Sequence, residues 1–220
     1  MTAGPSRDDG AMRIMGLVVT TADVVATGEA WKRLGVDPAV EIVSGDPGLT
    51  AVVLAVEDVA ATERLLQRRG LSGDAGGFDL GGTTWRLAPA SEARQREGLA
   101  LDHVVVTSGD AVRAAADFGA RLGLDLRLDR HTDFGYQGLF LRCADAIVEV
   151  VVPQDPPSGR DAFSGLAWRC EDIAATRARL VDAGVEVSEL RRGRKPGTTV
   201  ATVRDRDLAV PTLLIGPVAD

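Results

Sequence analysis

Residues 101–107 read LDHVVVT, a run typical of a β-strand in a protein core. Six of its seven residues suit a pleated strand, and the run breaks at 108–110, where a helical pattern begins. His103 is one of only two histidines in the chain. A second run, AIVEVVV at 146–152, carries Glu149 at its centre, where a carboxylate is costly without a partner, a proton or a metal. If the two strands lie in one sheet, His103 and Glu149 form the only histidine–carboxylate pair that the sequence offers on core strands.

The composition argues against several classes of partner. Hydrophobic residues make up 45% and charged residues 26% of the 220 positions, as in ordinary soluble globular proteins. A formal net charge of -7 argues against a nucleic-acid surface and against an anionic membrane as partner. No apolar run is long enough to span a bilayer, and residues 1–11 contain no apolar segment of the kind found in secretory signals. We therefore expect a cytoplasmic protein with a flexible tail at 1–11.

One structural unit recurs four times along the chain. Residues 51–71, AVVLAVEDVAATERLLQRRGL, align with residues 165–185, GLAWRCEDIAATRARLVDAGV, at a constant shift of 114. A weaker copy relates 17–20 to 104–107 at a shift of 87. Each unit runs from an apolar strand through an acidic residue and a helical stretch to a glycine. The acid-to-glycine steps are 12, 12, 13 and 12 residues, from Asp23 to Gly35, Asp58 to Gly70, Asp110 to Gly123 and Asp172 to Gly184.

The order of elements within the units predicts an α+β fold. An acidic side chain suits a helix N-terminus, where backbone N–H groups are free, and a glycine suits the left-handed residue that ends many helices. The third and fourth units are each predicted to be β-α-β-β-β, and the first two are predicted to be abbreviated. The strands predicted after the third and fourth helices are 124–128, 138–143, 146–152, 185–190, 198–204 and 210–215. We expect an N-terminal half at 12–90, a polar linker at 91–100 and a C-terminal half at 101–220.

This arrangement resembles the vicinal oxygen chelate superfamily, which includes glyoxalases, bleomycin-resistance proteins and extradiol dioxygenases. The resemblance is good over 101–216 and fainter over 13–88. It is carried by the paired β-α-β-β-β units, an early strand that reads LDHVVV and a late strand that contains an acid. It implies paired modules whose sheets curl into cupped half-barrels with the helices outside. It also implies a divalent metal in the cup, which polarises two neighbouring oxygens of a substrate.

Matched position by position, the resemblance makes His103 and Glu149 the metal ligands of the third module. His103 takes the first-strand position, and Glu149 takes the last-strand position. Other modules have lost their ligands, since Gly165 and Thr212 stand at these positions in the fourth module and Gly16 replaces the histidine in the first. The chain keeps two protein ligands where catalytic sites of this type usually supply three. The alternative is a hydrogen-bonded pair that is only structural.

Each of the remaining candidate residues also has an interpretation in which it does not bind a metal or a substrate. His131, in the polar run DRHTDFG, is either a third metal ligand or a solvated hairpin histidine. Arg169 is expected to point into the cup, where it either clamps a substrate carboxylate or pairs with Glu149. Arg194 and Lys195, in a basic run before a Pro-Gly turn, either bind an anionic substrate at the mouth of the cup or are simply solvated.

We interpret the chain as a glyoxalase- or dioxygenase-like protein that acts on a small oxygenated molecule through a divalent metal (Zn, Ni, Fe or Mn). If it is an enzyme, the resemblance implies a metal-dependent lyase, isomerase or dioxygenase in which Glu149 is the catalytic carboxylate. The alternative is metal-free binding of a drug or metabolite, as in bleomycin-resistance proteins, and a third option is an interaction scaffold. The expected partner is a small molecule, and four modules in one chain allow a monomer as well as a homodimer.

Overall fold

Four repeated units build the chain into two β-sheets with helices between them. The computed structural model describes residues 12–37, 39–74, 76–92 and 98–218, and the tail predicted at 1–11 lies outside these residues. The first half contains β1 (Arg13–Thr21), α1 (Val24–Leu34), β2 (Val36–Asp37), β3 (Ala39–Ser44), β4 (Gly48–Val56), α2 (Val59–Arg68), β5 (Gly73–Asp74), β6 (Gly77–Leu80) and β7 (Thr83–Pro89). No helix among the described residues is long and apolar enough to cross a membrane.

The second half repeats this alternation with longer strands. It contains β8 (Leu99–Thr107), α3 (Ala111–Ala114), β9 (Asp125–His131), β10 (Tyr136–Cys143), β11 (Ala146–Pro153), β12 (Ala162–Arg169), α4 (Ile173–Asp182), β13 (Arg191–Arg192), β14 (Thr198–Val203) and β15 (Thr212–Pro217). Helix α3 continues as a π-helix over Ala115–Arg121. Short 3-10 turns lie at Ala90–Glu92 and Arg206–Leu208.

The second sheet holds the third and fourth units side by side. Its strand order is β13-β14-β15-β12-β8-β11-β10-β9, and the antiparallel pair β8–β12 joins the two units. Strand β8 also pairs in parallel with β11, and β12 pairs in parallel with β15, so each unit closes on its own first strand. These pairings confirm the predicted α+β fold of paired β-α-β-β-β units.

The first sheet holds the shorter first and second units. Its strand order is β3-β1-β4-β7-β6-β5. The second unit keeps all four strands, although β5 has only two residues, whereas the first unit contributes β1 and β3. Strand β2 crosses to the second sheet and pairs with the start of β8. The first unit is therefore abbreviated, as predicted, whereas the second is reduced only in the length of its strands.

The helix ends follow the acid-to-glycine spacing of the sequence. All four acidic residues accept hydrogen bonds from backbone N–H groups of the first helical turn, and all four glycines have a φ between 68° and 92°. The third unit needs 13 residues for this step because part of its helix is a π-helix. There the N–H of Leu122 bonds the carbonyl of Asp117, five residues back, at 2.9 Å. The wider π-helical turn accommodates the one residue by which this step exceeds the other three.

One strand differs from its prediction. In place of a strand over 185–190, the chain forms an isolated bridge between Val187 and Val203, followed by the two-residue β13. The N–H of Ser188 bonds the carbonyl of Thr202 at 2.9 Å, and the N–H of Thr202 bonds Ser188 Oγ at 2.9 Å. A side-chain hydroxyl therefore takes the place of a backbone acceptor, which interrupts the ladder.

The main core lies between the helix-bearing faces of the two sheets. Trp31 of α1 packs edge-on against Trp168 of β12, with ring centres 5.9 Å apart. Trp85 of β7 contacts Phe118 and Phe163 of the other half, each at 5.6 Å between ring centres. Buried apolar residues of both halves form one continuous cluster. The opposite, concave face of the second sheet therefore points away from the first sheet.

An ion pair of the C-terminal half also packs against the turn between β6 and β7. The Asp161 side chain is fully buried and bonds Arg113, with Nη1 and Oδ2 3.0 Å apart. The N–H of Asp161 donates to the carbonyl of Gly81 in the turn between β6 and β7. Any Cβ added to Gly81 would come within 2.1 Å of the Arg113 guanidinium, so this close approach requires glycine.

Replacing Trp31 with alanine should destabilise the whole protein, because it removes the contact with Trp168 and leaves a cavity between the halves. We expect the free energy of unfolding to fall by about 3–5 kcal/mol in urea titrations followed by circular dichroism. Val25→Ala is the matched control on the same helix, because Val25 is 76% exposed. The control should change the free energy by less than about 0.5 kcal/mol. Equal effects of the two substitutions would contradict the packing described.

Candidate functional site

An extra residue in β8 places two neighbouring side chains on the same face of the second sheet. Leu101 pairs with Trp168 and His103 with Ala167, so Asp102 is an additional residue opposite β12. This irregularity is a β-bulge. The burial pattern changes parity there: position 101 is buried, positions 102 and 103 are partly exposed, and positions 104 and 106 are buried. Asp102 and His103 therefore both lie on the concave face.

His103 lies between two carboxylates. Its Nδ1 is 2.9 Å from Asp102 Oδ2, and its Nε2 is 3.5 Å from Glu149 Oε2. Glu149 reaches the ring because β11 runs parallel to β8, with Ile147 beside His103 and Glu149 two positions further along the same face. The side chains of His103 and Glu149 are 16% and 15% exposed, so both remain accessible to a small ligand. The structure thus brings the two central residues of the sequence analysis together.

The surroundings of Asp102 keep its carboxylate ionised. Burial alone would raise the pKa of Asp102, but the hydrogen bond with His103 and the positive charges of His103, Arg169 and Lys195 lower that pKa below its ordinary value of 3.8. An ionised Asp102 accepts a hydrogen bond from a protonated Nδ1, which leaves Nε2 directed towards Glu149. The 3.5 Å between Nε2 and Oε2 exceeds the usual length of an N–H···O hydrogen bond. The two atoms therefore face each other without a direct hydrogen bond.

Arg169 supports the bulge. Its Nη2 donates to the carbonyls of Leu101 at 3.2 Å and Asp145 at 2.7 Å, and its Nε lies 3.5 Å from Asp102 Oδ1. The sequence predicts either a clamp for a substrate carboxylate or a partner for Glu149. In the structure the guanidinium instead pairs with Asp102 and ties β8 to the turn before β11.

His131 lies away from this trio. It is exposed at the end of β9, the outermost strand, and pairs with Gln137 of β10. His131 is three strands from His103, roughly 20 Å along the sheet. Within the ranges that the structure describes, no group of three or more histidine, cysteine, aspartate or glutamate side chains is placed to hold a metal ion. Two of the three predicted metal ligands are brought together, and His131 is not.

Arg194 and Lys195 lie in the hairpin between β13 and β14, at the opposite edge of the sheet from β9. The Arg194 guanidinium stands 4.7 Å from the ring centre of Phe134 and 5.4 Å from that of Tyr136, both at the hairpin between β9 and β10. Its Nη1 donates to Tyr136 Oη at 3.3 Å. The charge of Lys195 contributes to the low pKa of Asp102. The two edge hairpins therefore meet over the concave face.

Apolar side chains line another part of this face. Ala167, Val200 and Ile215 form a buried cluster separate from the main core, and Leu213 packs against it. Strand pairing places Ala167 beside His103, so the apolar cluster and the ionisable trio are neighbours. An apolar wall next to a few polar groups is the usual make-up of a small-molecule site. We refer to this concave face, with its polar trio and apolar cluster, as the C-terminal cup.

The outer face of the first sheet is built differently. Gly16 stands on β1 at the position that His103 has on β8, and a Cβ there would come within 3.3 Å of Val53 side-chain atoms. Arg86 of β7 and Glu41 of β3 form an ion pair of 3.6 Å that spans β1 and β4. Those charges are satisfied by each other, so the candidate site belongs to the C-terminal cup.

Three residues around the cup were not predicted from the sequence to be part of the site. Alternation along a strand predicts opposite faces for neighbours, so Asp102 is passed over although it adjoins His103 in LDHVVVT. Phe134 and Tyr136 are passed over because only the curl of the sheet brings them to Arg194. Their one sequence signal is that two aromatic residues flank Gly135 in a chain with 4% aromatic residues.

The comparisons with known proteins agree with this geometry. Residues 102–202 match the family described as the Glyoxalase/Bleomycin resistance protein/Dioxygenase superfamily. The matched segment is less than half of the 220 residues, lies in the C-terminal half and includes both His103 and Glu149. It is a likeness to the vicinal oxygen chelate superfamily. No curated protein matches the chain.

Solved structures extend the likeness to the whole fold. A mutant of 4-hydroxymandelate synthase from Streptomyces coelicolor is 13% identical, with a TM-score of 0.73, and the match covers 96% of this chain and 94% of that one. At this identity the likeness shows the fold alone. Methylmalonyl-CoA epimerase from Mycobacterium tuberculosis is 24% identical, with a TM-score of 0.47, over 54% of this chain and 88% of the epimerase.

Asp102→Asn should lower stability at neutral pH, and the loss should fade in acid. Because the folded protein lowers the pKa of Asp102, the ionised carboxylate stabilises the fold above the ordinary pKa of 3.8, and this contribution disappears as the pH falls through the lower folded-state pKa. The difference in unfolding free energy between wild type and variant should be constant above about pH 5 and shrink below it. Urea titrations from pH 7 to pH 3 measure this difference.

Asp182→Asn, at an exposed position of α4, is the matched control. Its effect on the free energy of unfolding should show no such decline in acid. A wild-type advantage over Asp102→Asn that stays constant down to pH 3 would argue against an ionised, stabilising Asp102.

Proposed function

We propose that the C-terminal cup binds a small oxygenated molecule at His103 and Glu149, with a divalent metal ion held between these two side chains. The observation that carries this proposal is the imidazole oriented by one carboxylate and facing a second across 3.5 Å. The match of residues 102–202 to the glyoxalase, bleomycin resistance protein and dioxygenase superfamily supports this class of function.

The two side chains fit part of a metal-coordination shell. Two ligand atoms that share a tetrahedral metal ion at 2.0–2.2 Å lie roughly 3.3–3.6 Å apart, and His103 Nε2 and Glu149 Oε2 are 3.5 Å apart. Asp102 accepts a hydrogen bond from His103 Nδ1, as carboxylates behind metal-bound histidines commonly do. The protein supplies two ligands, so oxygens of the bound molecule and water complete the shell. His131 has no part in this proposed site.

Each residue of the trio has a distinct task in the proposed site. A bound metal ion polarises an oxygen of the ligand and stabilises negative charge on it. Asp102 fixes the ring orientation and keeps the proton on Nδ1, so that Nε2 stays available as a ligand. Glu149 is the proposed catalytic carboxylate, because its second oxygen would stay free to accept a proton from the ligand while Oε2 contacts the metal ion.

A metal-free binding protein is the second candidate function. The partly exposed Leu213, backed by a buried apolar cluster, favours it, because this apolar patch suits a drug or metabolite without any ion. In that case His103 and Glu149 serve as hydrogen-bonding anchors for the ligand.

Metal content should distinguish the two candidates. Protein purified without a metal-affinity tag should contain near-stoichiometric metal by elemental analysis, and calorimetric titration of metal-stripped protein with Zn²⁺, Ni²⁺ or Mn²⁺ should show one site. His103→Ala should abolish this binding, because it leaves Glu149 as a single ligand. Asp102→Asn should weaken it by about 10- to 100-fold, because it removes the group that orients the ring.

His131→Ala is the matched control, since it removes the other histidine of the chain without touching the trio. It should bind metal as the wild type does. Metal binding that persists in His103→Ala would contradict the proposed metal site. The second candidate would be supported if the wild-type protein binds apolar ligands but no metal. In that case Leu213→Asp should abolish binding of the apolar ligands.

A further inference from the structure

Two hairpins from opposite edges of the second sheet meet above the C-terminal cup. Six strands lie between the edge strands β13 and β9 in the order of the sheet, yet the hairpin between β13 and β14 touches the hairpin between β9 and β10. The contact consists of Arg194 over the rings of Phe134 and Tyr136, at 4.7 and 5.4 Å, and a hydrogen bond of 3.3 Å to Tyr136 Oη. A ligand at His103 therefore lies beneath this bridge.

Within the described part of the chain, the positive charge of Arg194 has no acidic partner. No carboxylate lies within 4.0 Å of Arg194 or Lys195 among the described residues. Arg169, the other arginine considered for ligand binding, is occupied by Asp102 and two backbone carbonyls. Arg194 has five N–H donors, and its one hydrogen bond, to Tyr136, leaves most of them unused.

The present partners of Arg194 hold it weakly. Phe134 is 63% exposed, and the attraction between a cation and a ring is modest where water competes. A carboxylate offers two oxygens that match the planar guanidinium fork, which gives a stronger, charge-assisted contact. An anionic group that enters the cup is therefore able to take Arg194 from the aromatic rings.

We propose that Arg194 is the anion-recognition residue of the C-terminal cup, and that the ligand carries a carboxylate which displaces the guanidinium from Phe134 and Tyr136. This inference rests on the proposed function, which puts the oxygenated end of the ligand at His103 and Glu149. It adds the chemical class of the ligand, a small carboxylic acid with further oxygens. The aromatic pair holds Arg194 in place over the cup until that acid arrives.

The two histidines provide the test. Diethyl pyrocarbonate modifies accessible imidazoles, and peptide mass spectrometry gives separate rates for His103, beneath the bridge, and for the exposed His131. The probes are malate and its neutral diamide, which share one carbon skeleton and hydroxyl and differ in charge. In wild type, malate should slow the modification of His103 at least about fivefold and the diamide less than about twofold. Neither probe should change the rate at His131.

Arg194→Ala should reduce the protection by malate to less than about twofold. Arg192→Ala is the matched control, because it removes the same charge from an exposed position of the same hairpin and should keep the protection. Undiminished protection in Arg194→Ala would overturn the proposal, as would equal protection by the diamide or an unprotected His103 in wild type. Both variants retain His103 and Glu149, so metal binding measured on the same samples reports separately on the proposed function.

Discussion

The antiparallel pairing of β8 with β12 is the interaction on which the C-terminal half depends. It joins two β-α-β-β-β units into one curved sheet, and the extra residue that it leaves in β8 turns Asp102 and His103 to the same side. Regular alternation would direct Asp102 towards the helix-packed face, where an ionised carboxylate is costly. Arg169 holds the irregular segment from β12, the very strand against which the bulge forms. One local departure from regular pairing thus decides which polar groups the cup contains.

Those parts of the molecule that depend on local chemistry could be predicted from the sequence. An acid and a glycine, 12 or 13 residues apart, mark the ends of all four helices because each caps backbone groups in its own neighbourhood. The meeting of His103 with Glu149 could also be predicted, since both lie on strands whose side chains alternate with a period of two.

The rest depends on residues that are distant in sequence. A bulge leaves no local signature in LDHVVVT, so the role of Asp102 appears only when the register with β12 is known. The broken strand at 185–190 depends on one hydroxyl, Ser188 Oγ, that competes with a backbone acceptor. Arg169 has the predicted position, but its partners, Asp102 and the carbonyl of Asp145, follow from the turn that the third unit makes before β11.

The wide π-helical turn in the third helix shows where a repeat of this kind can change its length. Its acid-to-glycine step is one residue longer than the other three, and the π-helical segment over Ala115–Arg121 confines that surplus to the helix. The capping aspartate and the terminal glycine keep their places, so the strands on either side keep their register. An insertion of this size inside a strand would instead reverse every later side chain, unless a bulge absorbs it as the one at Asp102 does in β8. The helices are therefore segments in which this architecture tolerates a change of length, and the strands of the cup tolerate one only at a bulge.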